Sequence, residues 1–162
     1  MADASRRLVV VRHAKSAWPK GVPDAQRPLN ERGRRDAPAA GRWLRRHVEH
    51  VDAVLCSPAE RTRQTWELLA AMLDSAPDPV FDARLYGAAA DMLLTVVREL
   101  PDDAGCAMVL GHNPGMADVV MLLTGESPKM RTSAIAVLRL VGGWKQASPG
   151  GAALVAHATP RG

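Results

Sequence analysis

The chain has 162 residues, enough for a single domain over 1–162 with a substantial core. Its 47% apolar and 23% charged residues fit a soluble globular protein, and no apolar stretch approaches the ~18 residues of a membrane helix. The net charge of +4 is unevenly spread: residues 1–63 hold 14 Lys and Arg against 7 Asp and Glu, and residues 64–162 hold 7 against 10, so the N-terminal half should attract anions.

Leu8-Val-Val-Val11 is a continuous, largely β-branched apolar run that predicts a buried strand. It is too short for a signal-peptide core, so a cytoplasmic location is expected. The run stops on Arg12 and His13, placing a cation and an imidazole at a strand's carboxyl end, where open α/β sheets bind ligands. Residues 14–29, with Pro19, Gly21, Pro23 and Pro28, read as a long loop. Asn30 reads as the N-cap of a helix carrying Ala37, Ala40, Trp43, Leu44 and Val48 at helical spacing. Pro38 falls inside that pattern, so the expectation is either a kink or a second helix opening at Pro38.

Val51–Cys56 predicts a second strand. Ser57, Pro58 and Glu60 then form the sequence signature of a capping box with proline at the first helical position, opening a helix that runs to about Leu73. That places Arg61 in the first turns of a helix, just beyond a strand end. Pro79–Asp82 reads as a short edge strand, and residues 89–99 as a helix with Met92, Leu93, Val96, Val97 and Leu100 on its apolar stripe. Ala107–Leu110 predicts a buried strand ending on Gly111-His112-Asn113-Pro114-Gly115, with Asn113 capping and Pro114 opening a helix that stops near Gly125. Ala134–Val141 and Ala152–Ala156 read as two last strands paired as a hairpin. The alternation argues for a three-layer α/β/α sandwich with a mostly parallel central sheet.

Parallel strands would bring Arg12-His13, Arg61 and His112 to one edge of the sheet, joined by the positive ends of the helices starting at Ser57 and Asn113. Two arginines, two histidines and two helix N-termini suit a phosphoryl group.

Arg12-His-Ala-Lys-Ser16, Cys56-Ser-Pro-Ala-Glu-Arg-Thr-Arg-Gln-Thr65 and Gly111-His-Asn-Pro-Gly115, in this order, resemble the histidine phosphatase superfamily, with its phosphoglycerate mutase-like fold. Arg27-Pro-Leu-Asn-Glu-Arg-Gly33, Leu85-Tyr-Gly87 and the short length resemble its SixA-like phosphohistidine phosphatase branch. The resemblance spans about residues 7–125. It implies a metal- and cofactor-independent phosphatase acting on a phosphorylated protein or a small phosphorylated metabolite. His13 would be the nucleophile that becomes phosphorylated, and Arg12, Arg61 and His112 would hold the phosphoryl oxygens. Ser16 matches a hydroxyl position that contacts phosphate. Ala14 stands where many members have glycine. No carboxylic general acid is fixed by the motifs, Asp24 and Asp91 being candidates. An imidazole leaving from a P–N bond can already carry its proton, so the lack of an acid would favour phosphohistidine over phosphate esters.

Other readings fit less well. A phosphatase or mutase for small phosphate esters keeps the same fold. Neither Cys56 nor Cys106 has the arginine six positions on that a cysteine phosphatase needs, and both read as buried thiols rather than a disulfide. His47 and His50 have no third metal ligand in sight. An anion- or RNA-binding domain could use the arginine-rich stretch 32–46, but Trp18, Trp43, Trp66 and Trp144 are scattered rather than laid out for stacking bases.

Overall fold

The structure is a computed structural model, and residues 5–162 are described. Among the described residues six strands form one sheet: β1 (Arg6–Arg12), β2 (Ala53–Cys56), β3 (Val80–Phe81), β4 (Cys106–Gly111), β5 (Ile135–Leu140) and β6 (Ala152–Ala158), in the order β3-β2-β4-β1-β5-β6. The β3-β2, β2-β4 and β4-β1 pairs are parallel; β5 runs antiparallel to both β1 and β6. The expected terminal hairpin is thus β5-β6, packed on the β1 side of the sheet.

Four α-helices among the described residues cover the sheet: α1 (Glu31–His47), α2 (Glu60–Ala70), α3 (Ala90–Arg98) and α4 (Gly115–Thr124). The period of a strand decides which face each covers. Leu8 and Val10 of β1 pack with Leu93, Val97, Val119 and Leu123 of α3 and α4, whereas Val9 and Val11 pack with Ala40, Leu44, Trp66 and Leu69 of α1 and α2. All four β1 residues are fully buried, each side chain contributing on the order of 1.5–3 kcal/mol of hydrophobic stabilisation. Trp144 and Trp66 are buried, Trp43 stacks on His47, and Trp18 is 77% exposed. Both cysteines are buried free thiols, and burial pushes each up to about 12. No helix among the described residues is long and apolar enough to cross a membrane.

Asn30 caps α1 as expected, its side chain accepting from Gly33 N at 2.9 Å, and Gly125 ends α4 in the left-handed conformation at φ 77°. One open choice is decided and two helix starts differ from the sequence reading. Pro38 lies inside one uninterrupted α1, and no second helix begins there; the packing of Ala37, Ala40 and Leu44 outweighs the lost hydrogen bond. α2 starts at Glu60 with Ala59 as N-cap, because the Ser57 hydroxyl is drawn to His112 and the Glu60 carboxylate to Gln64. α4 starts one residue late, at Gly115, while Asn113 still serves its first turn: Oδ1 accepts from Ala117 N at 3.2 Å and Nδ2 donates to Met130 O.

Candidate active site

Strand register explains why distant residues meet. Arg12 of β1 is opposite Gly111 of β4, and His13 N donates to Gly111 O at 3.0 Å, so His13 and His112 leave adjacent strands side by side. Cys56 of β2 is opposite Leu110, and Ser57 N donates to Leu110 O, which sets Ser57 beside His112 from the other flank. The two imidazole centroids are 5.1 Å apart. The order β2-β4-β1 therefore lines up Ser57, His112 and His13 along one edge of the sheet.

His13 is buried, and its Nδ1 lies 2.7 Å from Ala14 O. A carbonyl can only accept, so Nδ1 carries the proton and Nε2 keeps its lone pair. Ala14 is itself fixed by its N–H donating to Thr65 Oγ1 of α2 at 3.0 Å. Burial lowers the His13 pKa to about 3, with His112, Arg61 and Arg12 adding to the shift against the opposing bond to Ala14. Burial, followed by Arg61, lowers His112 to about 4. Both rings are neutral at pH 7. The His112 Nε2 lies 2.7 Å from Ser57 Oγ, and its Nδ1 has no partner among the described residues.

Arg12 donates through Nη1 to Met130 O at 3.2 Å, and burial lowers its pKa. Arg61, also buried, donates Nη1 to Asp24 O at 2.7 Å and Nη2 to Asp24 Oδ2 at 3.1 Å. The Nε atoms of Arg12 and Arg61 join His112 Nδ1 as buried nitrogens without a partner among the described residues. Ser16 is buried, and its Oγ accepts from Arg27 Nη1 at 3.0 Å.

The two acid candidates sit in different surroundings. Asp24 accepts from Tyr86 Oη, Arg61 and Arg27, and these partners, Tyr86 first, hold its carboxyl well below the usual range. It anchors two arginines. Asp91 sits exposed at the start of α3, its Oδ1 accepting from Met92 N.

Several contributors were not assigned roles from sequence. Ser57 carried a helix-cap signal that concealed its bond to His112. Tyr86, whose ring meets His112 edge-on at 5.3 Å, and Arg27, whose Cζ lies 3.5 Å over the Trp18 ring, were visible only as parts of motifs. Ser133, buried with φ 66°, donates its N–H to His13 O and had no sequence signal at all. A non-glycine residue held there stores backbone strain beside His13. His47 and His50 lie elsewhere, stacked on Trp43 and paired with Asp52.

The depressed histidines make stability pH-dependent. Between their folded values of about 3 and 4 and the unfolded value of 6.5, only the unfolded chain binds these protons. Stability from both rings is therefore complete above pH 6.5 and lost as pH falls. The expected result is a Tm that drops from pH 7 to pH 5, with a flatter slope in His13→Asn, measured by calorimetry at matched ionic strength.

The sequence model of the histidine phosphatase superfamily (branch 1) matches residues 8–160. An uncharacterised protein of Mycobacterium tuberculosis is 43% identical over 162 residues, covering 93% of this chain and 100% of the relative. A structure from Nakamurella multipartitia, provisionally assigned as the phosphohistidine phosphatase SixA, superposes with a TM-score of 0.88 at 32% identity, covering 96% of each chain. The tungstate complex of the protein histidine phosphatase SixA shares the fold, with a TM-score of 0.83 at 23% identity over 95% of this chain and 97% of the other. With a superfamily match across almost the whole length, the chain belongs to the histidine phosphatase superfamily and is a phosphatase.

Proposed function

We propose that this phosphatase hydrolyses phosphohistidine on a protein, through a phosphohistidine intermediate of its own at His13. The observation that supports this most is the forced tautomer of His13, which leaves a lone pair on Nε2 of a neutral ring whose centroid lies 5.1 Å from that of a second imidazole. In the first step Nε2 attacks phosphorus, the Nε2–P bond forms and the donor's N–P bond breaks, and the leaving imidazole departs with the proton it already carries. The phosphorylated ring is cationic, and Ala14 O accepts from its Nδ1–H. Water then attacks phosphorus, the P–Nε2 bond breaks, and neutral His13 and phosphate are released.

Arg12, Arg61 and His112 act on the phosphoryl oxygens. Arg12 Nε and Arg61 Nε are buried donors, and His112 Nδ1 a buried ring nitrogen, without a partner among the described residues, and a buried donor without an acceptor is costly. An oxyanion supplies acceptors, and its charge draws a proton onto His112, which then donates from Nδ1 while Nε2–H bonds Ser57 Oγ. Ser16, whose Oγ already accepts from Arg27, keeps its own proton for a phosphate oxygen. Phosphoryl transfer depends chiefly on such positioning and charge stabilisation.

Asp24 stays ionised between Arg61, Arg27 and Tyr86, so it has no proton to give an alkoxide. This favours a P–N bond over an ester. The expected outcome in a panel with EDTA present is a kcat/KM for a phosphohistidine peptide at least about 100-fold above that for sugar phosphates, the usual scale of general-acid assistance. Comparable values for the two classes would overturn the substrate assignment and favour a small-ester phosphatase.

A further inference from the structure

A depression of about 200 Å³ opens directly off His112, between the N-terminal ends of α3 and α4. Its walls are Leu85, Ala88, Leu93, Pro114 and Met116, with Ala89 on the rim and the exposed Asp118 at the outer end. Beyond Asp118 the surface continues as a second hollow formed by Ala90, Met121 and Leu122, and Met121 is 55% exposed. A track of apolar atoms therefore leads away from the ring that faces His13.

The polar side chains of the depression have little to offer a hydroxyl-rich ligand. Asn113 spends Nδ2 on Met130 O and Oδ1 on Ala117 N. His112 is engaged with Ser57 and the reaction centre, which leaves Asp118, an anion that repels further phosphate or carboxylate groups. The base is closely built: a Cβ on Gly115 would come within 2.8 Å of Ala88 O and 3.2 Å of Leu93 Cδ1. Sugars and nucleotides would lose hydrogen bonds to water here without replacement, whereas an aliphatic side chain would lose none. A thioether at each end, Met116 and Met121, adapts to differently shaped apolar groups.

We propose that this groove is a peptide subsite that takes an apolar side chain next to the phosphorylated residue of a protein substrate, with Asp118 favouring a cationic residue beyond it. The proposal rests on the phosphatase reading above and names what that site recognises outside the phosphoryl group. Continuity with His112 carries it: a phosphoryl group delivered to His13 brings its neighbouring residues past this opening.

Two measurements test it. The first compares phosphohistidine peptides with Leu or Ser flanking the modified residue, in the wild type and in Ala89→Trp, whose ring would fill the rim. The wild type should prefer the Leu peptide by about tenfold in kcat/KM, the scale of one small apolar contact, and Ala89→Trp should erase that ratio. The second titrates the unphosphorylated Leu peptide while following methionine methyl resonances. Met116 and Met121 should shift, and Met108, buried in β4, should not. Equal rates for the two peptides together with unmoved Met116 and Met121 methyls overturn the groove. Methyl shifts in an enzyme that leaves phosphohistidine uncleaved uphold the groove and overturn the substrate reading instead.

Discussion

His13→Asn should lower kcat for a phosphohistidine peptide by about 10⁴- to 10⁶-fold, the range found when an enzyme loses its nucleophile. Asparagine can still offer an N–H to Ala14 O, so the local backbone keeps the partner that fixes it. What disappears is the lone pair at the Nε2 position. The loss should appear in kcat with KM little changed, because the arginines and His112 remain. It should also come without a loss of fold: the substitution removes a buried group that resists protonation, so at pH 5 the variant should melt no lower than the wild type. Steady-state kinetics beside a melting curve checks both halves. Residual turnover within tenfold of wild type would place the nucleophile elsewhere.

Arg61→Ala should cost about 10³-fold or more in kcat/KM, since one arginine on a transferring phosphoryl group supplies effects of 10³–10⁵. The size follows from what Arg61 does at once. Nη1 and Nη2 hold the loop residue Asp24 through its backbone oxygen and carboxylate, which orients the guanidinium and leaves Nε for an oxyanion. Arg61→Lys keeps the charge but not the planar fork, and cannot bridge both Asp24 oxygens while reaching a phosphate, so it should recover only a small part of the loss. The lost ion pair itself should count for little in stability, because the Asp24 side chain is 51% exposed and keeps Arg27 and Tyr86 as partners. A variant that lost activity only in proportion to its unfolded fraction would reduce Arg61 to a structural role.

Much of this architecture could be read from local pattern. The β1 run, the Asn30 cap and the left-handed Gly125 are local signals, decided by neighbouring residues, and they fix where elements begin and end. The meeting of His13 and His112 needed one more step, the rule that parallel strands share a carboxyl edge. The rest lay beyond reach because it is decided by pairing across the fold. Ser57 has the residue type and spacing of a helix cap, yet a histidine 55 positions away takes its hydroxyl. Asp24 looked like a candidate acid, and only the arrival of Tyr86 and two arginines from separate segments turns it into an anchor. Pro38 shows the same thing in the core, where tertiary packing overrides a local helix-breaking preference.

The most direct test of the central claim is to mix enzyme with a radiolabelled phosphohistidine peptide, quench within one turnover in base, and locate the label. Label on the peptide that contains His13, stable in base and lost in acid, is the predicted result. Label on His112, acid-stable label on Ser16, or phosphate released in a full turnover with no labelled enzyme at any quench time would contradict it.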